Sequence, residues 1–262
     1  MNNLLKLFFL LTLALMVSCR SSQELIYLHD AVNNELIKGL PSESTEHILT
    51  TGDILYISIK SINPEVNVLF NPEANMETSM GQGYQKYLTP SGAYLYGYEI
   101  ADDGTILLPM LGKIKISQST ISVAESIVQK RTDELLKDAI VKVKLLNFKV
   151  TVLGEVRSPG QYYNYNNSIT VIQAIALASG NTDFAAIKKV MVVRSTVGGN
   201  KTYMLDLTSK EVYLSEAFYL RPNDYVIVQP DKHKNFQLNS QAYSLMFSSL
   251  SILLAVLGFV LK

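Results

Sequence analysis

At 262 residues the chain can hold one large domain or two small ones with end segments, which argues against a multidomain enzyme. Its 23 Lys+Arg balance 23 Asp+Glu, a formal net charge of zero, and this excludes a protein held on nucleic acid by bulk charge. With 48% hydrophobic and only 18% charged residues the chain is too apolar for disorder and more apolar than an ordinary soluble domain, which directs attention to membrane-facing segments.

Residues 1–18 read as an export signal. Lys6 lies in a short start, and the uncharged run 7–17 is too short for a stable bilayer crossing but has the length of a signal core. The only cysteine, Cys19, follows Met16-Val17-Ser18, which resembles the lipobox at which bacterial lipoproteins are cleaved and acylated, with Met16 where Leu is usual. Lipid attachment is therefore expected at Cys19, against the plainer alternative of a buried free thiol. Acyl chains at about 0.8 kcal/mol per buried methylene would anchor the protein durably. Residues 19–47 read as a polar connector, a leash from lipid to first domain, with one apolar patch at Leu25-Ile26-Tyr27-Leu28.

The first domain spans 48–146. Gly52-Asp53 introduces the β-branched and aromatic run 54–59, a strand. A long loop or insertion follows, broken by Asn71-Pro72, Gly81-Gln82-Gly83 and Pro90-Ser91-Gly92. Tyr84, Tyr87, Tyr94 and Tyr96 lie in it and are candidate glycan contacts, since a tyrosine offers a flat apolar face and a hydroxyl; the alternative is that they cover a small hairpin. Asp102-Asp103-Gly104 predicts a hairpin turn between 97–100 and 105–109, and lacks the alternating ligand spacing of a calcium loop. Ser122-Val123-Ala124-Glu125 has the form of a capping box, opening a helix to about residue 137 with Val123, Ala124, Ile127, Val128 and Leu135 on one face. Val141, Val143 and Leu145 alternate with Lys142 and Lys144, a strand with one wet face. Lys113 and Lys115 alternate in the same way with Ile114 and Ile116, so four lysines form either a basic lining or plain solvated faces.

The second domain spans 147–232. A strand over 148–156, the turn Ser158-Pro159-Gly160, a strand at 161–163 and a helix over 171–179, capped by Ser168 or Thr170 and stopped by Gly180, are followed by strands at 190–194, 203–207 and 225–228. This is the order of a small sheet gripping one helix.

Residues 235–261 are 27 consecutive uncharged residues, and 243–261 would reach about 28 Å as a helix, close to a hydrocarbon core. Gln237, Gln241, Ser244, Ser248, Ser251, Ala255 and Gly258 recur at alternating spacings of four and three, one stripe of small and polar residues for helix packing or for lining a lumen. A plain single-pass anchor is the simpler reading. A ring of helices with the stripe turned inward is the sharper one, because a protein already acylated needs no second tether.

No catalytic set is legible: His29, His47 and His233 are scattered, and Gly81-x-Gly83 lacks the context of a phosphate loop. No metal, cofactor or nucleic acid is expected.

The segments Thr51-Gly52-Asp53-Ile54-Leu55-Tyr56-Ile57, Tyr98 to Gly112, Val150 to Gly160 and Ile169 to Gly180 occur in an order that resembles the bacterial outer-membrane polysaccharide export proteins, the lipoproteins of capsule and exopolysaccharide secretion. The resemblance implies an α+β fold: a periplasmic polysaccharide-export domain, one β-grasp (SLBB) domain and a transmembrane helix over 236–262. It also implies an outer-membrane channel for capsular or exopolysaccharide, lipid-anchored and with its bulk in the periplasm, built as a homo-oligomeric ring whose terminal helices make an α-helical barrel. An inner-membrane polysaccharide co-polymerase or tyrosine kinase would be its partner. A membrane-tethered periplasmic glycan-binding or assembly protein without a pore, or a helix placed in the inner membrane, are the competing readings.

Overall fold

The computed structural model describes residues 26–31, 47–71, 90–196, 198–232, 234 and 240–260. The signal segment, Cys19, Tyr84, Tyr87 and Gln237 lie outside the described residues.

The first module is built on β1 (Ile54–Lys60), which runs antiparallel between β2 (Tyr98–Glu99) and β5 (Ile140–Leu145). The chain enters β1 through a local polar knot: the Asp53 carboxylate accepts from the Thr50 N–H at 2.9 Å and meets His47 Nε2 at 2.7 Å, with Gly52 at φ +84° making the turn. The alternation in β5 is as expected, with Val141, Val143 and Leu145 buried and Lys142 and Lys144 exposed. A second, two-stranded sheet pairs β3 (Thr105–Leu108) with β4 (Gly112–Lys115).

Two expectations about this module are corrected. The turn at Asp102-Asp103-Gly104 exists, with Gly104 N–H donating to Ala101 O and Ala101 N–H to Thr105 O, but the strands on either side of it do not pair. β2 joins β1 and β3 joins β4, so the turn hands the chain from one sheet to another. Among the described residues of the stretch 63–97 there are two short helices where a loop or a small hairpin was expected, α1 (Pro64–Phe70) and α2 (Pro90–Tyr96). Asn63 caps α1 by accepting from the Glu65 N–H, while Asn67 and Asn71 accept from the Ser61 and Ile59 N–H groups and tie the helix to the end of β1. The four lysines sit on two different sheets, and Lys113 Nζ lies 3.5 Å from Asp103 Oδ2, so a shared basic lining gains no support.

Helix α3 (Ile121–Asp133) is capped by Thr120, whose hydroxyl accepts from the Val123 N–H, and not by Ser122. Glu125, expected to close the capping box, does something else. Its Oε2 accepts from the Val143 N–H at 3.0 Å, while Gln129, one turn later, accepts from the Val141 N–H at 2.9 Å and donates to Ala139 O at 2.8 Å. These two side chains plug the open edge of β5, whose backbone would otherwise be a template for another strand. Turning that face toward the edge rotates the buried stripe to Ala124, Val128 and Thr132, leaving Val123 and Leu135 exposed and ending the helix at Asp133.

The second module contains β6 (Lys149–Gly154), β7 (Gly160–Tyr163), α4 (Val171–Leu177), β8 (Ala185–Thr196), β9 (Gly199–Leu205), a 3-10 turn at Lys210–Leu214, and β10 (Tyr225–Pro230). Its sheet has the order β7-β6-β10-β8-β9, and only the β6–β10 pair is parallel. Thr170 caps α4 in a full capping box with Gln173. Val171, Ala174 and Ile175 are buried where the helix packs on β6 and β10, over Val150, Val152, Val190, Val192, Val226 and Val228. Because the first and last strands are parallel neighbours, the chain enters the module at one end of the sheet and leaves it at the other.

Two features hold this sheet together. At the end of β6, Gly154 has φ +87°, and a Cβ there would lie 2.0 Å from the Val228 carbonyl oxygen. On β8, the guanidinium of Arg194 is buried against Asp224, with Nη2 to Oδ2 at 2.7 Å and Nε to Oδ1 at 3.1 Å, and donates further to the Glu216 and Tyr219 carbonyls. It thereby fastens the loop 215–224 to the sheet.

Gly154→Ala is expected to cost at least about 2 kcal/mol, from the left-handed backbone and the clash with β10. Glu125→Ala should cost about 1 kcal/mol by stripping the partner from the Val143 N–H. Urea denaturation of each variant checks both values, and Glu125→Ala should in addition aggregate faster through the bared β5 edge.

Candidate functional site

Helix α5 (Ser240–Val260) has 21 residues and a length of about 31 Å. Every α5 side chain that is described is exposed: Ser244, Ser248, Ser251 and Gly258 of the predicted stripe, and also Leu245, Met246, Phe247, Leu250, Ile252, Leu253, Leu254, Val256 and Phe259. The side chains of Gln241 and Ala255 are not among those described. Among the described residues no helix is long and apolar enough to cross a membrane. The expected transmembrane helix over 236–262 is thus matched by an exposed helix over Ser240–Val260 and is not borne out as a span.

Those serines satisfy themselves. Ser248 Oγ donates to Ser244 O and Ser251 Oγ to Phe247 O, each at 2.8 Å, so their protons need no partner from outside the helix. At Gly258 a Cβ would meet nothing within 4 Å, so the single chain leaves that position open.

The two described candidate tyrosines do not share one face. Tyr94 and Tyr96 are both on α2, Tyr94 exposed and Tyr96 half-buried, and a two-residue spacing puts them on nearly opposite sides of a helix. An open polar cleft of about 360 Å³ lies on the same module, lined by Thr50, Thr51, Asp102, Asp103, Lys115 and Ser117 among others. Within it Asp103 accepts from the Thr105 hydroxyl at 2.6 Å and N–H at 3.0 Å, and these bonds, with Lys113 nearby, hold its carboxyl below the usual range. A carboxylate committed to its own turn is unsuited to proton transfer. Among the described residues no cluster of His, Cys, Asp or Glu could hold a metal ion.

The second module offers two features that sequence reasoning missed. Its sheet carries an apolar row on the face away from α4, Leu153–Ile227–Met191–Met204, aligned across four strands by the observed register. Strand alternation alone hides this row, because each strand contributes a single residue to it. The other feature lies where α5 departs: Glu155 accepts from the Thr182 hydroxyl at 2.7 Å and is ion-paired with Lys234. These contacts, Lys234 first and Thr182 second, hold the Glu155 carboxyl below its usual range against the opposing effect of burial.

The leash also needs correction. Residues 26–31 are docked on the second module, not running free to the first: the Leu28 and His29 N–H groups donate to Leu207 O and Thr208 O, and Asp30 accepts from the Ser209 hydroxyl and the Lys210 N–H. Docking draws on backbone groups of residues near 208, which no local pattern in 20–47 announces.

Comparison with known proteins adds two matches that adjoin in the chain. Residues 41–146 match the family of polysaccharide biosynthesis/export proteins, and residues 148–228 match the SLBB domain. The chain is 25% identical over 199 residues to the EPS I polysaccharide export outer membrane protein EpsA of Ralstonia nicotianae, covering 75% of this chain and 48% of the relative. It is 26% identical over 200 residues to the protein of the same name from Ralstonia solanacearum, covering 74% and 50%. The chain spans about half the length of these curated relatives.

The lowered Glu155 pKa fixes a pH dependence. Its stabilisation is fully present above the pKa of the unfolded glutamate, about 4.3, and is lost as the pH falls through the lower folded value. Melting curves from pH 7 to pH 3 should show Glu155→Gln less stable at pH 7 and less sensitive to acid below pH 5 than the parent.

Proposed function

We propose that the chain is a member of the polysaccharide biosynthesis/export family and an outer-membrane component of an exporter of capsular or extracellular polysaccharide, acting as a conduit and not as an enzyme. The names of the two relatives support the place and the cargo. In this reading Cys19 carries the lipid, the two modules stand in the periplasm, and copies of the chain assemble into a ring with α5 as a stave of a helical barrel. An inner-membrane co-polymerase or tyrosine kinase delivers the polymer from below.

The observation that carries the proposal is the bareness of α5. A helix that exposes nine large apolar side chains beside a run of serines and a glycine is unsuited to water on its apolar side and to bare lipid on its polar side. Neighbouring copies resolve the conflict: the large residues face lipid and adjacent staves, and Ser244, Ser248, Ser251 and Gly258 either face a wet lumen or let the helices approach closely. Serines whose protons are already bonded within the helix present weak, uncharged contacts, which suits a wall along which a polymer must slide and be released.

An epitope placed after Lys262 should be reachable by antibody on intact cells, and its protection would overturn the outer-membrane barrel. Gly258→Leu places its side chain in open space in the single chain, so it should leave the fold and melting temperature unchanged while reducing both ring formation and polymer secretion several-fold. A variant that secretes normally favours a periplasmic tether without a pore.

A further inference from the structure

Glu155 follows β6, residues 181–184 precede β8, residues 207–210 follow β9 and Asp231 follows β10, so all four lie at the end of the second module from which the chain runs on to α5. Residues 26–31 are docked at this same end. The Tyr27 hydroxyl donates to Asn181 Oδ1 at 2.9 Å. Asn181 Nδ2 donates to Thr182 O, the Thr182 hydroxyl and N–H donate to Glu155, and Glu155 is paired with Lys234, six residues before α5. On the other side of the loop, the Asp231 N–H donates to Phe184 O at 2.7 Å and the Lys234 N–H to Asp231 O at 3.1 Å. The loop 181–184 is thus gripped by the N-terminal segment on one side and by the root of α5 on the other.

We infer that these contacts form one latch, in which the docked N-terminal segment, acting through Tyr27 and the loop 181–184, holds the root of α5 on the second module. Ordering of the loop by either grip makes the other grip less costly, so the two are positively coupled without any change of shape. Tyr27 is a positioning residue here: its ring is half-buried, and its hydroxyl reaches a loop 154 residues away in the chain. On the proposed export reading, Ile26 follows Cys19 by seven residue steps, a reach of at most about 25 Å. The latch would then tie the lipid attachment to the helix root, and releasing one end would loosen the other.

Hydrogen exchange of the full-length protein in detergent micelles tests the coupling. Tyr27→Phe keeps the ring and removes only the hydroxyl. It should speed exchange at the Asp231 and Lys234 amides on the order of fivefold, the factor expected for one ordinary hydrogen bond, while the Val141 and Val143 amides of the first module stay unchanged. Glu155→Gln should speed the same two amides, and the double variant should be little faster than either single one. Unchanged exchange at Asp231 and Lys234 in Tyr27→Phe, or fully additive effects in the double variant, overturns the latch. If Tyr27→Phe accelerates exchange throughout the chain, the hydroxyl serves general stability and the latch is likewise overturned. Asp30→Asn, which weakens the docked segment from its other end, gives a second reading of the same coupling. Exchange is read whether or not the chains form rings, so a failed latch leaves the export reading standing, and a monomeric protein leaves the latch testable.

Discussion

Bare apolar surface on α5 is the constraint on which the rest of this molecule depends. Nine large apolar side chains at about 1.5–3 kcal/mol each, if fully covered, are comparable to the net stability of an ordinary domain, and none of that is realised in the single chain. The two modules are self-sufficient by comparison. Their buried residues, rich in β-branched side chains, form one core cluster, and the single cysteine of the chain lends it no disulfide. What they supply is the base from which the chain runs on to α5.

That base is secured by side chains whose work is not announced by their neighbours in sequence. The β-branched run was enough to read β1 and alternation to read β5, and of the two caps offered for α4, Ser168 and Thr170, the second is observed, because in these cases the deciding partners lie within a few residues. Glu125 shows where such reading ends. Its spacing from Ser122 has the form of a cap, yet its carboxylate is taken by an edge strand eighteen residues later, and only the packing of α3 on β5 decides between the two. The same holds for Arg194 and Asp224, thirty residues apart, and for the segment 26–31, whose polar surroundings suggest a leash while its partners lie near residue 208.

The candidate site divides in the same way. The small-residue stripe is written in the spacing of residues 237–258, and the helix over Ser240–Val260 bears out that the segment is helical. The proposed glycan-contacting tyrosines rested on nearness in sequence, and the helical geometry of α2 separates the described two. The apolar row across β6, β10, β8 and β9 was invisible for the opposite reason, since its members are far apart in the chain and come together only through register.

The parallel pairing of β6 with β10 has a mechanical consequence. The first module joins the near end of β6, and α5 is reached from the far end of β10, so a pull between the first module and α5 runs along the two strands. Their ladder is then strained in shear, with all of its bonds sharing the load together instead of opening one after another like a zipper. Under such a load the second module is a tie-rod.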